Sequence, residues 1–131
     1  AMTEIQSGAV TGNPEDSVAN FLTRVLPHQA AAAQAQGLRL MMYEGGSHVV
    51  GFGAQVEDPD LTAFFTHLSY TPEMAQLYDQ VMQGWAAVTP EPFNAFVDLA
   101  SPGKWGSWGA LRHLGDENPR WQVIARGCLS C

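Results

Sequence analysis

The chain has 131 residues, of which 46% are hydrophobic, and its formal net charge is −7. This length suits one domain with a sizeable core. Six lysines and arginines against thirteen acids argue against a nucleic-acid or anionic-membrane surface, because phosphate groups are bound by clustered cations. No run of residues approaches the ~18 apolar positions of a transmembrane helix, so we expect neither a nucleic-acid partner nor a membrane span.

The first third of the chain predicts helices followed by one buried strand. The polar N-terminus is expected to hold at most one short strand, over 4–10. Asn13-Pro14 is typical of a helix start, and apolar side chains then recur at helical spacing, which predicts helices over 14–36 with Pro27 as a stop or kink. A short apolar run that ends in a glutamate and two glycines then predicts a buried parallel strand over 38–44.

The rest of the chain predicts further helices and a second strand. Asp58-Pro59 and Thr71-Pro72 are typical helix starts, so we predict helices over 58–88. A stripe of methionine and aromatic residues within them favours a packed core over a cofactor site. Residues 93–99 are rich in β-formers and predict the second strand. A last helical stretch is expected over 108–124.

This order of helix, strand, helices, strand and helix predicts an α/β fold with two or three parallel strands, joined by right-handed crossovers. Two strands alone leave both sheet edges open, and so small a sheet has little stability of its own. We therefore expect residues 1–131 to form one incomplete domain. A missing N-terminal portion or self-association into a dimer or tetramer would complete its sheet.

Three motifs lie near the ends of the predicted strands: Tyr43-Glu44-Gly45-Gly46-Ser47-His48, Phe96-Val97-Asp98 and Lys104-Trp105-Gly106-Ser107-Trp108-Gly109. Together they resemble the C-terminal part of bacterial glycoside-hydrolase-like (β/α)8 barrels, over roughly 27–121. The resemblance implies that the two predicted strands are the seventh and eighth of such a barrel. The chain would then be a fragment of a TIM barrel whose other strands are missing.

The resemblance also implies a carbohydrate site at the carboxyl ends of these strands. Glu44 takes the place of the nucleophile of a retaining glycosidase, and the acid/base carboxylate would come from outside the chain, so the fragment is expected to be inactive alone. An aromatic floor for the sugar is implied at Trp105 or Trp108, whose indoles combine an apolar face with one N–H donor. The other candidate contacts to an oligosaccharide are Tyr43, His48, Asp98 and Lys104.

Each candidate also has a structural interpretation. Glu44 and Asp98 can be hydrogen-bonded structural acids, His48 a solvated loop residue, and one tryptophan a packing residue. The alternative function is a non-catalytic, self-associating α/β module of unknown ligand. No metal-ligand spacing joins the acids and His48, so neither a metal nor a cofactor is expected. Cys128 and Cys131 have the spacing of a redox pair or half a zinc site, but a frayed tail or an adventitious disulfide fits their terminal position better.

Overall fold

The computed structural model describes residues 1–128, and about half of the chain (51%) is helical. The α-helices are α1 (Met2–Ser7), α2 (Val18–Asn20), α3 (Leu26–Ala35), α4 (Pro59–Leu68), α5 (Pro72–Val88) and α6 (Pro119–Cys128). A π-helical turn, Phe21–Val25, joins α2 to α3, and a 3-10 turn, Gly53–Glu57, precedes α4. Within the described residues, none of these helices combines the length and the apolar character needed to cross a membrane. Of the two cysteines, Cys131 lies outside the described residues.

The predicted α/β barrel fragment is wrong, because residues 1–128 form no β-sheet. The segment predicted as a buried strand over 38–44 lies at the surface instead. Leu38 is 67% exposed, Met41 60% and Tyr43 88%. An apolar run becomes a parallel strand only where neighbouring strands take up its backbone hydrogen bonds, and the described part of the chain supplies none.

The second predicted strand, over 93–99, is also wrong. It makes two isolated parallel bridges, one between Ala95 and Gly45 and one between Leu99 and Leu111. These bridges are too short to build a sheet, but they bring separate loops of the chain together. The segment therefore acts as a connector between loops rather than as a strand.

Two other expectations need correction. Helix α1 replaces the short strand expected over 4–10, and it ends at Gly8, whose φ of 67° gives the left-handed cap that glycine favours. The helix expected over 108–124 begins only at Pro119. Ala110 and Leu111 hydrogen-bond through their amides to the connector, which is incompatible with a helix at that point.

Helices lie within the predicted range 14–36, but they begin later than predicted and continue through Pro27. Asn13-Pro14 forms a turn, and Ser17 is the cap, because its Oγ accepts the Asn20 N–H at 3.1 Å. The helical path continues through Pro27, which lacks an N–H and crowds the preceding turn. The widened π-turn, Phe21–Val25, ends two residues before this proline and accommodates it.

The chain divides into two compact units, and helix α5 contributes residues to both. The first unit contains Ala1–Tyr43 and Asp79–Phe93, and the second contains Glu44–Tyr78 and 94–128. In the first unit, Glu91 is a central partner: its carbonyl accepts from the Trp85 indole N–H at 2.6 Å, and its carboxylate lies 3.0 Å from the Arg39 guanidinium. These bonds hold the exposed 38–43 segment against the C-terminal end of α5.

A fully buried arginine is central to the polar interactions of the second unit. Arg120 donates through Nη1 to the Ser107 carbonyl at 2.9 Å and through Nη2 to the Gly109 carbonyl. Its guanidinium carbon lies 4.4 Å from the ring centroid of Tyr70 and 5.5 Å from that of Tyr78. Its Nε–H has no partner among residues 1–128. Carbonyl dipoles and aromatic faces thus surround this charge, in place of the carboxylate that usually pairs with a buried arginine.

A buried aspartate, Asp116, fixes the start of α6. Its carboxylate accepts from the Arg112 side chain at 2.9 and 2.6 Å, from the Arg112 backbone N–H at 2.9 Å and from Asn118 Nδ2 at 3.1 Å. Asn118 then caps α6 by accepting the Trp121 N–H at 3.0 Å. The hydrogen bonds from Arg112 outweigh burial and hold the pKa of Asp116 well below its usual range. The carboxylate is therefore charged at neutral pH, as these contacts require.

We predict that Arg120→Met destabilises the second unit by about 2–4 kcal/mol, because the Ser107 and Gly109 carbonyls lose buried donors that the methionine cannot replace. The measurement is the free energy of unfolding in urea, followed by circular dichroism. Arg24→Met, the same substitution at an exposed helical position of the first unit, is the matched control, with an expected change below about 0.5 kcal/mol. Equal unfolding free energies for the two variants would contradict this role of Arg120.

Candidate functional site

The two predicted site tryptophans belong to one loop of the second unit, and the ends of this loop are tied together. The Val97 N–H donates to the Trp108 carbonyl at 3.2 Å, and the Ala110 N–H donates to the Val97 carbonyl at 2.7 Å. The segments that flank the loop therefore run side by side, in the parallel direction of the Leu99–Leu111 bridge. This closure fixes both ends of the loop.

Inside the loop, Lys104 and Trp105 form the corner of a tight turn. Gly103 and Gly106 exchange both of their backbone hydrogen bonds, each at 3.0 Å, so only two residues connect them. The corner of such a turn projects its side chains away from the body of the loop. This position explains why Trp105 is 62% exposed although tryptophan is a large, mainly apolar residue.

A histidine from a separate loop anchors this turn. His48 Nε2 donates to the Trp105 carbonyl at 3.0 Å, and its ring lies 5.6 Å from the Trp108 ring. Phe96 contacts the same indole edge-on at 6.1 Å. We call these residues, together with Lys104, the indole cluster; its members are His48, Phe96, Lys104, Trp105 and Trp108.

The loop that carries His48 is itself fixed to helix α5. The Ser47 N–H donates to the Tyr78 hydroxyl at 2.9 Å. Two positions before Ser47, the Gly45 N–H donates to the Asn94 carbonyl and the Gly45 carbonyl accepts from the Phe96 N–H, both at 2.9 Å. The backbone that leads into His48, over 45–47, is therefore held by hydrogen bonds to helix α5 and to the connector over 93–99.

A charged pair borders the cluster. Lys104 Nζ lies 2.6 Å from Glu57 Oε1 and 4.9 Å from the centroid of the Trp105 ring. The ammonium group is thus attracted both to a carboxylate and to an aromatic face. One face of the exposed indole is covered by this ammonium group.

The structure brings four of the predicted site residues together: His48, Lys104, Trp105 and Trp108. The contacts described above do not include the other three. Tyr43 belongs to the first unit, and Glu44 is exposed without an ion pair among residues 1–128. Asp98 turns back on its own backbone, because its Oδ1 accepts the Leu99 N–H at 2.9 Å.

Three contributors to the site were not predicted as site residues: Phe96, Glu57 and Arg120. Glu57 is 47 positions from Lys104 in sequence, and no motif connects the two residues. Arg120 follows a helix-start signal at Asn118-Pro119, a pattern that indicates the helix but not the burial of the arginine. Within the described residues, no three His, Cys, Asp or Glu side chains are grouped closely enough to hold a metal ion.

Comparison of the chain with protein-family models, with curated proteins and with solved structures finds no match.

The two tryptophans differ in what surrounds their rings. A Cβ at Gly106 would lie 2.6 Å from two atoms of the Trp108 indole, so this ring packs directly on the glycine backbone. Gly106 also has φ 152°, a conformation that side chains disfavour. Trp108 is therefore held in place by packing, whereas Trp105 stands out from the turn.

We predict that Gly106→Ala displaces Trp108 and lowers the free energy of unfolding by about 1–3 kcal/mol, the usual range for overpacking. Tryptophan fluorescence should shift at the same time. Gly103→Ala is the matched control, because a Cβ at this other end of the turn meets nothing within 4 Å. If both alanine variants unfold at the same urea concentration and keep the same spectrum, Trp108 does not pack as described.

Proposed function

We propose that the second unit binds carbohydrate at the indole cluster, and that a sugar ring stacks on Trp105. One observation carries this proposal: an indole that is 62% exposed, on a turn whose backbone is fixed by hydrogen bonds. A tryptophan offers an apolar face and one N–H donor, which suits a ligand with an apolar ring face and a rim of hydroxyl groups.

The proposal is for binding, without hydrolysis by this chain alone. Retaining hydrolysis needs two carboxylates about 5–5.5 Å apart. The resemblance implies an acid/base carboxylate from outside the chain, and Asp98, the other candidate acid, accepts a hydrogen bond from its neighbouring amide. We therefore propose no nucleophilic role of Glu44 in this chain alone.

We expect Trp105→Ala to weaken oligosaccharide binding about tenfold, which corresponds to the ~1.4 kcal/mol of a lost stacking contact. Isothermal titration calorimetry measures this with the tightest ligand from a panel of soluble oligosaccharides. The fold is expected to persist, because the anchors of the turn are bonds to its backbone.

Phe52→Ala is the control for this experiment. Phe52 is 89% exposed in the same unit and lies outside the indole cluster, so its removal should leave the affinity unchanged. Equal affinities for the two variants would remove Trp105 from the proposed site.

With aryl glycosides, the wild type and Glu44→Gln should both release no aglycone above the blank.

Self-association through the first unit is a second candidate function. Its support is the exposed segment over 38–43, in which Leu38, Met41 and Tyr43 present large apolar side chains to solvent. Neighbouring exposed apolar side chains mark contact surfaces more often than scattered ones do. We propose that two copies of the chain bury this segment against each other, in place of the strand pairing that the sequence predicted.

We expect the wild type to be a dimer at tens of micromolar in light scattering, and Leu38→Ser/Met41→Ser to be a monomer, because the double variant removes the apolar contact. Val10→Ser is the control, since Val10 is 72% exposed in the same unit but lies outside the segment. A monomeric wild type at this concentration would refute the second candidate and leave the carbohydrate proposal unaffected.

A further inference from the structure

Glu57 contacts the indole cluster directly, through an ion pair with Lys104. Its Oε1 is 2.6 Å from Lys104 Nζ, and the same ammonium lies 4.9 Å from the centroid of the Trp105 ring. Glu57 ends the 3-10 turn Gly53–Glu57, and the side chains of both charged partners remain accessible to solvent. The ion pair therefore stands beside the exposed indole, where it would meet any ligand that stacks there.

We infer that Glu57 makes this site selective for uncharged sugars over acidic ones, an inference that rests on the proposed carbohydrate binding. An acidic sugar carries a carboxylate that would seek a cation at the rim of the indole. Lys104 is the cation placed there, and Glu57 already occupies it. A uronate could bind Lys104 only by displacing Glu57, and it would then face a second, unpaired carboxylate.

The remaining charges of the second unit favour the same ligand class. Arg112 is paired with Asp116, and Arg120 is fully buried, so neither guanidinium is offered to a ligand at the cluster. Over Glu44–Tyr78 and 94–128 the unit has eight Asp and Glu against four Lys and Arg. An excess of negative charge of this kind repels polyanions at low ionic strength.

Glu57 also determines which face of the indole is available. By holding Lys104 over one face of Trp105, the ion pair disfavours stacking of a sugar ring on that face. Glu57 is therefore a positioning and selectivity residue, which acts on the ligand through Lys104. Its replacement should change the preference among ligands more than it changes the binding of a neutral sugar.

The experiment compares the wild type, Glu57→Gln and Glu57→Gln/Lys104→Met. Each protein is titrated at low ionic strength with neutral cello- and xylo-oligosaccharides and with oligogalacturonate. We expect the wild type to prefer a neutral ligand. Glu57→Gln should bind oligogalacturonate about three- to fivefold more tightly than the wild type does, the range that an exposed ion pair supports. The double variant should lose this gain, and added salt should abolish it.

Asp60→Asn is the matched control, because it removes one exposed negative charge from the same unit without touching Lys104. It should leave the preference between ligands unchanged. If Glu57→Gln gains no affinity for oligogalacturonate while neutral binding still depends on Trp105, the selectivity role is refuted and the carbohydrate site stands. If no ligand of the panel shows binding that depends on Trp105, both proposals are refuted.

Discussion

The structure of the second unit depends on one buried cation. Arg120 has no exposed surface, and its two terminal nitrogens donate to the carbonyls of Ser107 and Gly109. A buried charge is expensive unless it is hydrogen-bonded, and removing Arg120 would take its buried donor from the Ser107 carbonyl and one of two donors from the Gly109 carbonyl. The tyrosine rings beside the guanidinium complete its surroundings, and burial raises the pKa of Tyr70 against the opposing effect of Arg120. Tyr70 therefore stays a hydroxyl donor, and its hydroxyl donates to the Gly109 carbonyl at 3.1 Å.

This cation links the last helix to the candidate site. Arg120 lies in the first turn of α6, whose start is fixed by Asn118 and Asp116. Its carbonyl partners at 107 and 109 flank Trp108, so the ring that packs on Gly106 is held from both sides along the backbone. Different residues therefore stabilise the loop and expose the indole. The interior bonds fix residues 106–109, and the turn before them exposes the Trp105 side chain.

The sequence predicted local features well where short-range chemistry decides them. Proline, threonine and aspartate signals located α4 and α5 closely, and Asp58 caps α4 through its side chain as the pattern predicts. The two apolar segments failed, because strand formation is decided by partners far away in the chain, and single-sequence patterns do not identify those partners. Of the site, composition and motif indicated the tryptophans, Lys104 and His48. The ion pair with Glu57 closes over 47 positions, and only the fold determines such a contact.

Exposure of an aromatic side chain does not by itself indicate a binding site, because soluble proteins leave many apolar atoms in contact with water. Phe52 is more exposed than Trp105, at 89% against 62%, but it lies outside the indole cluster. Trp105 differs from Phe52 because hydrogen bonds within the cluster fix the backbone of its turn and leave its side chain accessible. The His48 hydrogen bond and the paired glycine amides act on the main chain of the turn, while the Trp105 indole itself is contacted on one face by Lys104. Because the backbone under the accessible ring is already fixed, less conformational entropy is lost when a ligand binds. This arrangement is expected of a preorganised stacking surface.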